Sequence, residues 1–268
     1  MRGFGEVAER LRRSTVQVGA GDRRSGGSGV IWSSGGLILT NAHVARAPEL
    51  RVELWDGRRL DGRVVARDQA RDLASVRIEA NSLDMALPSD TAVRPGELVL
   101  AVGSPFGFAG ALSTGVVHSV GRVAGMGSGT WILADARLAP GYSGGPLANA
   151  AGEVVGINTA VVHGLGAAIP AEVVADYLRE AERAARRPVL GVTLRPLPHG
   201  LLILDLDPAG AAAAASLRPG DILLGSVEDL GQALDSGRGA IPLRFLRGGP
   251  RQQVREAFVR LRARAEAA

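Results

Sequence analysis

The sequence contains no cysteine and no lysine. The first absence excludes thiol nucleophiles, disulfides and thiolate metal sites. The second makes all 31 basic residues arginines, so the isoelectric point reaches about 10.7 although the net charge is only +4. Those arginines form neither a basic stripe nor a nucleic-acid-binding module, so nucleic acid is not an expected partner. Aromatic residues are 4% of the chain, which leaves Val, Leu, Ile and Ala to build the core. No apolar run approaches the 18 or so residues of a membrane helix. The opening stretch MRGFGEVAERLRRSTVQV lacks the apolar segment of a secretory leader. On these two grounds the sequence favours a cytoplasmic location. No cofactor or metal site is expected.

What the chain does have is glycine, 37 of 268 residues, punctuating short apolar segments. From residue 14 to 170 these read as strands: STVQVGA, GSGVIW, LILTN, LRVELWDG, RLDGRVVARD, LASVRI, ELVLAVGS, ALSTGVVHSV, TWILADARL, GEVVGINTAVV and GAAIP. Many short strands between turn signals, with no helix separating them, predict a mainly β barrel or sandwich. The pattern changes after Pro170. Val173, Val174, Tyr177, Leu178 and Ala181 share one helical face, and Pro188 stops the helix, so 171–187 closes a first domain spanning 1–187. Residues 188–262 then read as a small α+β domain. Two strands lead to a short helix in AGAAAAASL, followed by a helix over 226–236 that starts on the capping signal Ser226…Asp229, and a hairpin closes the domain. The RARAEAA tail is expected to fray.

Three stretches of the first domain carry chemistry: LTNAHVAR with His43, RDLASVRI with Asp72, and APGYSGGPL with Ser143. A serine hydroxyl needs a base to become a nucleophile, and histidine fits that task. The histidine needs a carboxylate to fix its tautomer and stabilise the imidazolium. The order His, Asp, Ser, at separations of 29 and 71 residues, belongs to the two-barrel chymotrypsin-type arrangement. Gly141 and Gly144 free the backbone to turn, so that the Gly141 and Ser143 amides can face one developing oxyanion. Taken singly, each site has a plainer reading as a turn or strand start. His118, His163 and His199 read as ordinary surface or core residues. GYSGG also matches the nucleophile elbow of α/β-hydrolases, but Pro140, Pro146 and a following strand are not a strand–turn–helix context.

TNAHV, DLAS, GYSGGPL, GINTAVV and GAAIP together resemble the HtrA (Deg) family, trypsin-like serine proteases joined to one or two PDZ domains; the likeness runs from about Phe4 to about Phe258. It implies a chymotrypsin-type double β-barrel followed by a shortened PDZ-like domain. It also implies ATP-independent cleavage of unfolded or misfolded proteins, and a homotrimer held by the N-terminal segment around Phe4. By the same resemblance Asn158, Thr159 and Ala160 pair with substrate backbone, and Leu138 and Leu165 flank a pocket for small or medium aliphatic side chains. Arg122 matches an arginine that relays activation. Leu190, Gly191 and Val192 match a loop receiving peptide C-termini, with Val227, Leu230 and Leu234 lining the groove. The chain departs from the family in Tyr142 before the nucleophile, in Leu133 and Ala134 before Asp135, and in a strand missing between RPGDILL and SVEDL. Two functions stay open at this point: an endopeptidase, or a peptide-binding adaptor or holdase with weak or lost catalysis.

Overall fold

The computed structural model describes residues 3–19, 26–248 and 253–263. The chain divides into two compact units, Met1–Leu178 and Arg179–Ala268. The division falls inside a helix, ahead of the boundary expected after residue 187.

The first unit opens with α1 (Phe4–Arg13), for which the strand reading gave no expectation. Val7 and Leu11, one turn apart, are its buried residues. Strands β1 (Thr15–Gly19), β2 (Gly27–Ile31), β3 (Leu37–Thr40), β4 (Glu49–Glu53), β5 (Arg59–Asp68) and β6 (Leu73–Ile78) follow. They close into a barrel in the order β1-β2-β3-β6-β5-β4. After β7 (Leu87–Pro88) come β8 (Leu98–Gly103), β9 (Ala111–Arg122), β10 (Thr130–Ala134), β11 (Pro146–Asn149), β12 (Glu153–Val162) and β13 (Leu165–Pro170). Their order is β11-β8-β9-β10-β13-β12, and β11 pairs with β12 to complete a second six-membered ring; β7 adds in parallel beside β12. The sequence reading passed over β11, whose four residues are too few to show alternation. The mainly β, double-barrel expectation holds.

Adjacent side chains on a strand point to opposite faces, and along β2, β3 and β8 both faces are largely buried. Ile31, Ile38 and Val76 fill the first barrel, and Val99, Ala101, Ile132 and Val155 fill the second. Their neighbours Val30, Leu39, Leu100 and Val102 turn outward into a shared layer with Ile157 and Ile169. That layer is the seam between the barrels. α2 (Ala171–Arg186) covers it with Val174 and Tyr177, and the Tyr177 hydroxyl donates to Ser75 Oγ at 3.0 Å.

In the second unit, β15 (Val192–Leu197), β16 (Gly200–Leu206), β17 (Ile222–Leu223), β18 (Ala240–Arg247) and β19 (Gln253–Arg260) form one antiparallel sheet in chain order; β14 (Pro188–Val189) pairs with β20 (Arg262–Ala263). Helices α3 (Ala211–Ala214) and α4 (Val227–Asp235) lie between strands of this sheet in the chain. α4 starts on the expected capping box: Ser226 Oγ accepts from the Asp229 amide, and the Asp229 carboxylate accepts from the Ser226 amide. The two-residue β17, inside RPGDILL, bridges β16 and β18, and the chain then runs straight into α4 with no further strand between RPGDILL and SVEDL, as expected. Residues 249–252 of the closing hairpin and 264–268 of the tail lie outside the described residues.

Candidate active site

His43 and Asp72 are in direct contact, and Thr159 links Asp72 to Ser143. β3 ends at Thr40, and the turn after it carries Asn41 and His43; Asp72 immediately precedes β6, the neighbour of β3. The two segments are tied through backbone. The Asp72 carbonyl accepts from the Ala42 amide at 3.2 Å and from Asn41 Nδ2 at 2.9 Å. Asp72 holds a left-handed φ of 55°, a conformation aspartate tolerates better than most side chains. Its carboxylate thereby faces His43. The His43 amide donates to Oδ1 at 3.0 Å, and His43 Nδ1 lies 2.8 Å from Oδ2. A proton on Nδ1 completes that bond and leaves Nε2 free to act as a base. Burial pushes the Asp72 carboxyl up, but the hydrogen bonds from His43 and Thr159 outweigh it and hold it below the usual carboxylate range.

Thr159 was expected to pair with substrate backbone. Its side chain donates from Oγ1 to Asp72 Oδ2 at 2.6 Å, so a residue of the second barrel orients the carboxylate of the first. The signal in the sequence is a polar residue within the apolar run GINTAVV, but its partner 87 residues away is not written there.

The nucleophile turn packs closely enough to require its glycines. Gly141 has φ +110° and follows Pro140, with the Tyr142 amide donating to Ala139 O at 3.1 Å, the pattern of a turn that needs a left-handed residue at its third position. At Gly144, φ +87°, a Cβ would come within 2.1 Å of Ser28 O. Among the described residues, no protein acceptor takes the Gly141 or Ser143 amide. Both are therefore available to an oxyanion. Ser143 Oγ donates to the Thr159 carbonyl at 2.9 Å rather than to His43. Tyr142 is buried, with its ring against Gly103, so this departure from the family fills core space.

The remaining candidates divide. Past Asn158, β12 pairs only with β13 among the described residues, so the other edge at Ala160 is open. Asn158 itself is a correction. Its amide donates to Gly145 O, its carbonyl accepts from the Gly144 amide, and its buried Nδ2 donates to Pro146 O at 2.8 Å. It holds the nucleophile turn and has no backbone group left for substrate. Leu138 packs over Gly166, and Leu165 starts the same strand, β13. Arg122 pairs with Thr130 at the exposed end of β9, and its guanidinium makes no hydrogen bond or ion pair among the described residues. In the second unit Leu190 is buried with its carbonyl bonded to the Ala212 amide, Gly191 has φ +70°, and Val192 begins the edge strand β15. Leu230 and Leu234 pack against that unit's core, while Val227 is exposed. No group of side chains among the described residues is arranged to hold a metal ion.

Residues 27–157 match the trypsin-like peptidase domain. The fold of nearly the whole chain is that of an "HtrA-type protease AlgW with decapeptide", at TM-score 0.62 and 25% identity over 98% of this chain and 99% of that one. The chain belongs to the HtrA family of trypsin-like serine proteases. A serine endoprotease from Yersinia pestis matches this HtrA chain at TM-score 0.62 and 28% identity, covering 98% of both chains. A "probable periplasmic serine endoprotease DegP-like" of Halomonas elongata is 38% identical over 87% of this chain and 53% of its own length. The chain spans roughly half the length of the curated relatives it matches. These relatives overturn the cytoplasmic expectation. Their names place them in the periplasm and point to export, whereas the expectation rested only on how the sequence begins and on its lack of a long apolar run. Among the described residues no helix is long and apolar enough to cross a membrane.

Proposed function

We propose that this HtrA chain is a serine endopeptidase acting on unfolded or misfolded polypeptide, with His43, Asp72 and Ser143 as its triad. The observation that carries this reading is the Thr159–Asp72–His43 chain of hydrogen bonds beside a serine whose neighbouring amides have no protein acceptor.

In the reaction, rotation of the Ser143 hydroxyl away from Thr159 O brings it to His43 Nε2. Oγ bonds to the scissile carbonyl carbon as its proton passes to Nε2, and the carbonyl oxygen takes negative charge between the Gly141 and Ser143 amides. Each such donor is typically worth about 10²–10³ in rate. Collapse breaks the C–N bond, and the leaving amine takes the proton from His43. Water then repeats the sequence on the acyl-enzyme, giving the carboxylic acid and free serine. Asp72 stays ionised throughout and holds the imidazolium. Substrate backbone pairs along the open edge at Ala160, and Leu138 with Leu165 selects small or medium aliphatic side chains.

Residues 188–262 act as a PDZ-like domain taking peptide C-termini between the Leu190–Val192 loop with β15 and the face of α4, following a protease domain over 1–187. The molecule is a homotrimer assembled through the N-terminal segment. A second reading, a peptide-binding adaptor with weak catalysis, is favoured by one observation, the Ser143–Thr159 hydrogen bond that turns the nucleophile from its base. A fluorophosphonate probe decides between them. Labelling of the chain that disappears in Ser143→Ala supports the endopeptidase, and an unlabelled chain supports the adaptor.

A further inference from the structure

Ser28 is a fully buried polar residue that the chemistry above does not use. It sits in β2 of the first barrel, yet its amide and its hydroxyl both bond the nucleophile turn. Its amide donates to Ser143 O at 2.7 Å, and its carbonyl accepts from Thr40 Oγ1 at 2.7 Å. Its hydroxyl donates to Gly141 O at 2.6 Å and accepts from the Ser104 amide at 2.9 Å. The Ser104 amide also reaches Gly141 O directly, but at 3.3 Å.

The hydroxyl's bond to Gly141 O falls on one particular peptide. The two proposed oxyanion donors are the Gly141 and Ser143 amides, and the Gly141–Tyr142 peptide lies between them. Its N–H is held by Ala139 O and its C=O by Ser28 Oγ, so both its ends are tied. Gly141 has no Cβ, and its φ of +110° lies where a glycine backbone is free to move. Nothing in the side chain of Gly141 can fix the direction of its amide, so that direction is set from outside. Gly144 and Gly145 permit the close approach: a Cβ at Gly144 would meet Ser28 O at 2.1 Å, and one at Gly145 would lie 3.2 Å from Ser28 Cβ.

We infer that Ser28 is a positioning residue for the oxyanion site. Its hydroxyl straps the flexible glycine turn to the first barrel and preorganises the Gly141 and Ser143 amides for the transition state. The inference rests on the endopeptidase reading and adds a residue to it. Preorganised donors act on charge that exists only in the transition state, so loss of the strap should lower kcat and leave KM nearly unchanged. A residue that merely filled space would alter stability and substrate binding alike.

The test compares wild type, Ser28→Ala and Ser28→Cys as full-length chains on a short chromogenic peptide. Binding is measured in parallel for a peptide boronic acid, whose tetrahedral adduct places an oxygen in the oxyanion site, and for the matching peptide amide. Cysteine is somewhat larger than serine and hydrogen-bonds only weakly, so it keeps the site filled while weakening the strap if alanine does not fold. Expected are a kcat at least about tenfold lower in both variants with KM within about twofold. Boronate affinity should fall by a similar factor, with amide affinity unchanged. Wild-type kcat in a folded Ser28→Cys, or equal losses of boronate and amide affinity, overturns the positioning role while the endopeptidase reading stands. A wild-type chain that neither cleaves the peptide nor binds the boronate overturns both.

Discussion

Thr159 donates its hydroxyl to the Asp72 carboxylate at 2.6 Å, from a strand of the second barrel to a turn of the first, across a sequence separation of 87 residues. The carbonyl of the same residue accepts from Ser143 Oγ. One residue therefore touches both ends of the triad, and its removal has a defined sign. Asp72 sits below the usual carboxylate range, so the ionised native form adds stability at pH above its unfolded value, about 3.9. That stability is lost as pH falls through the lower native value. Thr159→Val deletes one of the bonds that depress it. The acid-unfolding midpoint followed by circular dichroism should move to higher pH, and kcat should fall by about tenfold. An unmoved midpoint would mean that the bond contributes nothing to the carboxylate.

Ser143→Ala should abolish peptide hydrolysis, and His43→Ala should cost about as much, because triad members act as a unit. Both variants should melt within about 1 kcal/mol of wild type, since neither side chain belongs to a core cluster. The measurements are hydrolysis of a short peptide and thermal unfolding on the same preparations. Retained wild-type turnover in either variant would remove that residue from the triad.

The N-terminal segment shows what the sequence could and could not convey. Phe4 is accessible, whereas Val7 and Leu11 are buried in the seam layer. Deleting the first ten residues would therefore uncover core as well as any interface. Phe4→Asp is the cleaner variant. It should keep the fold by circular dichroism and shift the mass found by light scattering from trimer to monomer. A wild-type chain that is already monomeric excludes the trimer.

The strands were legible because glycine turns separate apolar runs, and the triad because His43, Asp72 and Ser143 come in a telling order. The cross-barrel bonds were not. Thr159 and Ser28 look like ordinary strand residues, and what they do depends on partners brought near only by the packing of the two barrels. Likewise α1 has only two buried positions and β11 only four residues, too little periodicity to declare either.

Asp221 is the buried carboxylate of the second unit. Arg247 meets it with two hydrogen bonds of 2.8 and 2.7 Å, and the Arg218 amide donates to it at 2.8 Å. Removing the guanidinium, which is partly exposed, leaves the buried carboxylate with the Arg218 amide alone, at about 1–3 kcal/mol. Arg247→Met should destabilise residues 179–268 by that order and leave the first unit unchanged. Hydrogen exchange would read this as faster exchange confined to amides after Arg179. Uniform protection loss along the chain would contradict it.

The last prediction separates chemistry from substrate choice. Every residue assigned to bond cleavage, from Ser28 to Leu165, lies in the first unit, and α2 already lays Val174 and Tyr177 over that unit's own core. A chain ended at Arg186 should therefore fold, react with a fluorophosphonate, and cleave short peptides near the full-length rate. It should lose stimulation by peptides with an apolar C-terminus, which in the full chain dock beside β15. Affinity there should be weak, about 10–100 µM, or roughly 5–7 kcal/mol. Joining two weak sites raises the effective concentration of a long substrate at the first. Cleavage of an unfolded protein should thus fall further than cleavage of a short peptide when the second unit is removed. The ratio of the two rates, full chain against shortened chain, is the measurement. A ratio of one would mean that residues 188–262 do not recruit substrate, and the peptide-binding role proposed for them would have to be given up.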